Sequence, residues 1–391
     1  MLYSIIDSIK NNTLNVGKYK THAQAVIISC YYNPKKSKAR LDAFNKFYST
    51  IKHLNHIIVE CAIGNGTFEL EETANIRRVR TSSTLWHKEA LLNGIINDLP
   101  VKYDYVFWID ADVIFTNQNW LVDGVNAMKN GANIIQPFEY GIHLEKNETE
   151  PSFNYHALAG EEQPNMINKK VWRSFCANYS TNHSWRSNDY NTHGHVGFAW
   201  GARREILDTM PLYDKALIGG ADHIMAHAAV GQLNHNCIMK SFGNCQIVHD
   251  WSSKFAKLIN GKVSYVEGFL FHIWHGDITK REYLKRIKEF QPISETIKDR
   301  DENGLYVAHR CEDHYVDNYM QNREVEDNFL SSMALGYATD SALMGTLVGG
   351  NPMGAMLGAF LREDDSRPVE IDSNCVQLDQ GSNSCEDDPF S

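Results

Sequence analysis

The chain has 391 residues, 43% of them apolar and 22% charged, with a formal net charge of -10. That length allows one large or two ordinary domains with a sizeable core, and the composition is that of a soluble globular protein. The acidic balance disfavours a general nucleic-acid binder while leaving room for a local basic patch. The opening residues, MLYSIIDSIKNNTLNVGKYK, lack a long uncharged apolar core and a small-residue cleavage site, so no secretory signal is expected and the chain reads as cytoplasmic. Eight cysteines (Cys30, Cys61, Cys176, Cys237, Cys245, Cys311, Cys375, Cys385) show no CxxC spacing and no compact framework, which reads as thiols in a reducing compartment. Residues 23–32 (AQAVIISCYY) predict a short buried strand, 40–54 a helix, and 55–63 (NHIIVECAI) a second strand. Residues 84–100 predict a helix ended by Pro100, 103–115 (YDYVFWIDADVIF) a third strand, 119–132 a helix and 133–142 another strand. This alternation over roughly 20–140 is that of an α/β sheet with parallel strands, whose ligands gather at the carboxyl ends of the strands.

Beyond residue 140 the chain is rich in His, Asn, Gly and Trp, which suggests substrate-shaping structure built onto the sheet. Segment 188–207 (NDYNTHGHVGFAWGARREIL) leads towards a short helix, and 217–232 (LIGGADHIMAHAAVGQ) towards another. Residues 268–290 read as strand, turn and basic helix, and about 292–391 as an appendage with an acidic, disordered end.

Three constellations could carry chemistry. Asp110-Ala111-Asp112 ends an apolar strand, where i and i+2 side chains share a face and a buried carboxylate pair needs a cation. Mg²⁺ or Mn²⁺ suits such oxygens; a solubilising acidic strand end is the alternative. His272-Ile-Trp-His275-Gly276 offers two imidazoles that could complete a Mn²⁺ shell or simply pack in a core. Lys280, Arg281, Lys285 and Arg286 follow, either neutralising a diphosphate or forming a solvated helix face. Gly219-Gly220-Ala221-Asp222-His223 places Asp222 at a helix start, as a proton-accepting carboxylate or as an N-cap. Lys88 on the 84–100 helix could reach a phosphate, with Asn93 five residues on; a surface lysine is the alternative.

Together, the D-x-D after a buried strand, the Gly-Gly-x-Asp about 110 residues later and a histidine about 50 further on resemble GT-A glycosyltransferases. The order is similar to the β-1,4-galactosyltransferase type and to the broader family-two-like inverting enzymes. The resemblance covers about 22–290 and includes LWHKEALLN (85–93) and GFAWGARRE (197–205). It implies a GT-A fold, a Rossmann-like nucleotide-sugar-binding sheet flanked by helices. It further implies Mn²⁺ (or Mg²⁺) held by Asp112 with Asp110, His272 and His275, a nucleotide-sugar donor such as a UDP-sugar, and Asp222 as the base of an inverting hexosyltransferase. Donor contacts would come from Ser29, Tyr31, Glu60, Lys88, Asn93, Asp110, Lys280 and Arg281, and acceptor contacts from Gly197, Trp200 and Gly220. Ala221 departs from the family, which usually has Glu there. The implied domains are 1–290, with a donor half to about 140 and an acceptor and metal half after it, then 291–361 and 362–391.

The uncharged, glycine-rich stretch 341–361 has near four-residue glycine spacing. Asn351-Pro352 at its centre favours a helical hairpin used in self-association over a membrane span. It is similar to tails on phage-encoded proteins. No stable protein partner is expected. The acceptor reads first as a glycan or surface polysaccharide and second as a hydroxymethylated pyrimidine of phage-type DNA, which the acidic charge counts against. A haloacid-dehalogenase-like metal phosphohydrolase also has a D-x-D after a strand, but as its first strand and followed by Gly-Thr or Gly-Val; here Val113-Ile114 follows. A sugar-binding module without activity would lack the metal or base position, and both are present.

Overall fold

The computed structural model describes residues 18–158, 170–181, 193–276, 287, 289–290, 295–308 and 315–319. Lys280, Arg281, the glycine-rich stretch and the acidic tail lie outside the described residues. Strands β1 (Ala25–Tyr32), β2 (His56–Ile63), β3 (Ile76–Thr81) and β4 (Tyr105–Ile109) run parallel, with helix α1 (Lys38–Ile51) between β1 and β2 and α2 (Lys88–Asn97) between β3 and β4. The central sheet has seven strands and takes three from later in the chain. These are β6 (Ile134–Gln136), β9 (Ala199–Arg203) and β10 (Val263–Tyr265), in the order β10-β6-β9-β4-β1-β2-β3. Only β9 runs against its neighbours, pairing antiparallel with both β4 and β6. The sheet therefore extends past the 20–140 block in which the alternation was read.

Both faces of this sheet are covered, which is why β1 is a nearly continuous apolar run. On one face Ile27 and Phe107 pack with Phe44, Phe47 and Ile51, the apolar stripe of α1. On the other, Val26, Ile28, Val106 and Trp108 pack with Leu92, Ile95 and Ile96 of α2. Each such side chain contributes roughly 1.5–3 kcal/mol on full burial. β3 was not anticipated. Its sequence, IRRVRT, alternates in burial, and Arg77 and Arg78 pair with Asp98 and Glu72 at 3.0 and 2.7 Å. It is an edge strand protected by charge.

A second sheet of four strands, in the order β5-β11-β7-β8, comprises β5 (Val113–Phe115), β7 (Tyr140–His143), β8 (Val171–Arg173) and β11 (Phe269–His272). It corrects two sequence expectations. The run 103–115 is not one strand: β4 ends at Ile109, and after a turn β5 pairs with β11 in the other sheet. The run 133–142 likewise splits into β6 and β7, with Pro137, which has no N–H to give a ladder, in the gap. GFAWGARRE, read as part of a stretch leading into a short helix, carries strand β9 and then runs into a helix at Arg204–Thr209.

Further helices among the described residues include α3 (Trp120–Lys129), α4 (Phe175–Thr181), α5 (Arg204–Thr209), α6 (Ala221–Ala229), α7 (Asn236–Phe242) and α8 (Gln246–Ile259). In α6 every residue is buried except Asp222. Packing does not stop at the expected boundary of 290, since Ile297, Tyr306 and Val316 are buried in one cluster with Leu85, Tyr213 and Phe242. Among the described residues no helix is long and apolar enough to cross a membrane.

Candidate active site

The turn between β4 and β5 sits where one sheet hands the chain to the other, and each sheet fixes one end of it. Asp110 N donates to Phe198 O at 2.8 Å, and Ile273 N donates to Asp112 O at 2.8 Å. Phe198 itself has φ +76°, uncommon for a bulky residue. Because Asp110 and Asp112 occupy a turn rather than a strand, their side chains part company, contrary to the shared face expected from i, i+2 spacing. Asp110 Oδ1 is ion-paired with Lys88 Nζ at 2.6 Å. Asp112 Oδ2 lies 2.9 Å from His275 Nε2 and 3.8 Å from His272 Nε2.

Asp112, His272 and His275 offer one oxygen and two ring nitrogens within 4.8 Å of one another. This mixed donor set fits Mn²⁺, and three protein ligands leave positions open for a substrate. Both histidines are buried, so their rings are held by packing. His272 Nδ1 shares a hydrogen bond of 3.2 Å with His143 Nδ1, which leaves Nε2 directed at Asp112. Such an outer partner orients a ligating imidazole. Asp110, expected among the metal ligands, lies outside this donor set and is paired with Lys88.

Lys88, at the start of α2, also lies 3.2 Å from Asp222 Oδ2. Burial alone would pull the Lys88 ammonium down, but Asp110, Asp222 and Glu89 outweigh it and hold its pKa well above the usual lysine value. Burial likewise raises Asp110 to about 6 against the opposing pull of Lys88. Removing the shared cation leaves three carboxyl groups facing one another. Lys88→Met is therefore expected to lower unfolding free energy by roughly 1–3 kcal/mol, between the values for exposed and buried pairs. Urea unfolding of the variant at pH 7 measures it, and an unchanged midpoint would show that the triad contributes nothing.

Glu89, next in the chain, is buried and was not anticipated. Burial pushes its carboxyl up to about 8, with Asp222 and Asp110 adding to the rise and Lys88 opposing it. The unfolded chain would ionise this group near the ordinary glutamate value of 4.5. Between that value and about 8 the folded protein keeps a proton that the unfolded chain releases, so stability falls as pH rises through the window. Glu89→Gln abolishes this contribution. The melting temperature of the variant, taken relative to wild type, should rise from pH 5 to pH 8.5; parallel profiles would contradict the assignment.

Asp222 opens α6. The helix cap is Gly220, which makes no side-chain cap bond and has φ +104°. A Cβ there would lie 2.9 Å from Ile287 Cδ1 and 3.1 Å from Phe242 Cζ, so only glycine fits. Asp222 is thus not the cap residue; its carboxylate turns to Lys88 and over Gly197, where an added Cβ would stand 3.7 Å from Oδ2.

These groups line one cavity of about 360 Å³. Tyr31, Lys88, Asp110, Asp112, Gly197, Gly220, Asp222, His272 and His275, all candidates from the sequence, are on its walls. Ser29, Glu60, Asn93 and Trp200 are not among the lining residues. Ser29 is buried within β1. Glu60 accepts from the backbone N–H groups of Glu69 and Leu70 and shapes that loop. Asn93 bonds both backbone groups of Leu212, at 3.0 and 2.9 Å. Trp200 is in the core, its indole donating to Val196 O at 2.8 Å. Sequence reasoning missed Trp86, Glu89, His143, Trp172 and His195 on the same walls. It also missed a buried group of His193, His223, His227 and Cys237 beside them, although the i, i+4 spacing of His223 and His227 was a readable signal.

No family model matches the chain, and no curated protein matches it. Solved structures give distant likenesses. S. aureus TarS 1-349 is 9% identical with a TM-score of 0.33, over 83% of this chain and 76% of that one. Glucosyl-3-phosphoglycerate synthase from Mycobacterium tuberculosis, in complex with Mn²⁺, UDP-glucose and phosphoglyceric acid, is 11% identical with a TM-score of 0.33, over 70% and 78%. The catalytic domain of Drosophila β1,4-galactosyltransferase 7, in complex with xylobiose, is 10% identical with a TM-score of 0.33, over 75% and 98%. Scores this low do not carry a function from one protein to another.

Proposed function

We propose that this chain is a metal-dependent GT-A glycosyltransferase that moves a sugar from a nucleoside-diphosphate donor to an acceptor hydroxyl with inversion. The observation that carries the reading is that one cavity holds both the Asp112, His272 and His275 donor set and a separate carboxylate, Asp222, on a helix that is otherwise buried. Asp112, His272 and His275 would hold Mn²⁺ or Mg²⁺, which when bound offsets charge on the departing diphosphate. Lys88 supplies a fixed cation at the same end of the sheet. Asp222 accepts the acceptor hydroxyl proton as that oxygen bonds to the anomeric carbon and the bond from carbon to the diphosphate oxygen breaks. One base and one displacement give inversion.

Trp86, Trp172 and Tyr32, all partly exposed, line the cavity and supply aromatic side chains of the kind that pack against sugar rings. With the net charge of -10, they favour a glycan hydroxyl over a DNA base as acceptor. The test is to incubate purified protein with a panel of sugar nucleotides and Mn²⁺, following nucleoside diphosphate release and thermal shift. At least one donor should be hydrolysed or should stabilise the protein only when metal is present. Failure of every donor, with and without metal, would sink the reading.

A further inference from the structure

Behind the catalytic wall, four side chains converge from three separate pieces of the fold. His193 comes from the loop before β9, His223 and His227 from successive turns of α6, and Cys237 from the first turn of α7. All four are buried, at 1%, 3%, 1% and 3% relative exposure, and their nitrogen and sulfur atoms lie within 4.8 Å of one another. Cys237 Sγ is 3.1 Å from His223 Nε2 and 3.2 Å from His227 Nε2. A tetrahedral shell with ordinary Zn–S and Zn–N lengths would set sulfur and nitrogen about 3.6 Å apart, so the donors already stand near ligand spacing.

We propose that His193, His223, His227 and Cys237 form a closed structural zinc site. Three further observations support it. First, the outer ring nitrogens are engaged in the way ligating imidazoles require. His193 Nδ1 is 2.8 Å from Gly194 O and His227 Nδ1 is 3.3 Å from Gln232 Oε1, which leaves the Nε2 atoms for the centre. Second, a thiol has one proton, yet the ring nitrogens of two members of the set, His223 and His227, both stand within hydrogen-bond distance of this sulfur. A cation reconciles lone pairs that converge on one point, and the thiol proton leaves to solvent when the metal binds. Third, His193 and His223 also line the catalytic cavity, which gives an entry path. His235 accepts from Cys237 N as the cap of α7, so it is assigned to capping rather than to the metal.

The consequence for the site is direct. Zinc here would bolt α6, and with it Asp222, to α7 and to the loop carrying His195 and Gly197. Three imidazoles and one thiolate with no carboxylate favour zinc over the hard cations that suit Asp112.

The test uses the full chain, isolated without added chelator. Elemental analysis is expected to find zinc retained after dialysis against EDTA, and protein made in cobalt-supplemented medium should show a near-ultraviolet thiolate-to-cobalt charge-transfer band. The band should survive in Asp112→Ala, which alters only the other metal set, and vanish in Cys237→Ser. If Cys237→Ser does not fold, wild type still decides. Wild-type protein with no retained zinc and no thiolate band would overturn the proposal, as would a band that persists in a folded Cys237→Ser. Neither result bears on the glycosyltransferase reading, which the donor panel tests separately.

Discussion

Asp222→Asn is expected to lower kcat by ~10²–10⁴-fold while leaving donor and metal binding near wild type. The substitution keeps the size of the side chain and its bond-forming atoms but removes the charge that accepts a proton. Its effect should lie towards the upper end of that range, because a base in a single displacement also orients the attacking oxygen. The structure sharpens the alternative. Asp222 does not cap α6, so loss of a cap cannot explain a defect; its partner is Lys88 at 3.2 Å. If the carboxylate only balances Lys88, the variant should lose some stability, roughly 1 kcal/mol for a partly exposed pair, and turn over normally. Steady-state kcat and the unfolding midpoint, measured on the same preparation, separate these outcomes. Normal turnover removes Asp222 from the mechanism and inversion with it.

The second large effect concerns the other end of the cavity. With metal and donor at a hundred times the dissociation constant, the folded wild type should gain about 2.7 kcal/mol from binding. Asp112→Ala and His275→Ala are each expected to abolish the metal-dependent part of that gain, because the two side chains meet at 2.9 Å and each removes one of three donor atoms. Thermal shift with and without Mn²⁺ at fixed donor concentration reads the difference. Retention of the full metal-dependent shift by both variants would show that the metal lies elsewhere.

The parts of the fold legible in the sequence are those where one local rule dominates. β1 and β2 are unbroken apolar runs, and α1 and α2 carry periodic apolar stripes, so they fall close to their predicted bounds. β3 was illegible because three of its six residues are arginine, an edge device that hides a strand from any apolar pattern. The strand that was read straight through Asp110 and Asp112 failed for the opposite reason. The residues on both sides are equally apolar, and only pairing with β9 and then β11, more than 80 residues away, shows that the chain changes sheet.

The site divides in the same way. Asp112, His272, His275 and Asp222 stood out as candidates because their chemistry is unusual next to apolar sequence, and the structure brings them to one cavity. Asn93 and Trp200 were chosen for lying in segments that resemble a family, and both are spent on packing. Ser29 lies inside β1, whose last three residues, Cys30, Tyr31 and Tyr32, reach the cavity. The histidine and cysteine cluster draws on positions 193 and 237, a separation that no spacing rule covers.

Helix α6 has no face turned to water, and its one partly exposed position is 222. In the proposed mechanism the demands of folding and of turnover fall on different residues of this helix. Most replacements at Ala221 or at 223–229 would disturb a packed interior and reduce the amount of folded protein. At 222 a replacement perturbs little of that interior, so a well-folded population that has lost its reactivity is tolerated there. A lineage that abandoned catalysis but kept the scaffold as a sugar-binding surface would thus have an inexpensive route, a single change at the head of α6, and its remaining residues would still read as an enzyme.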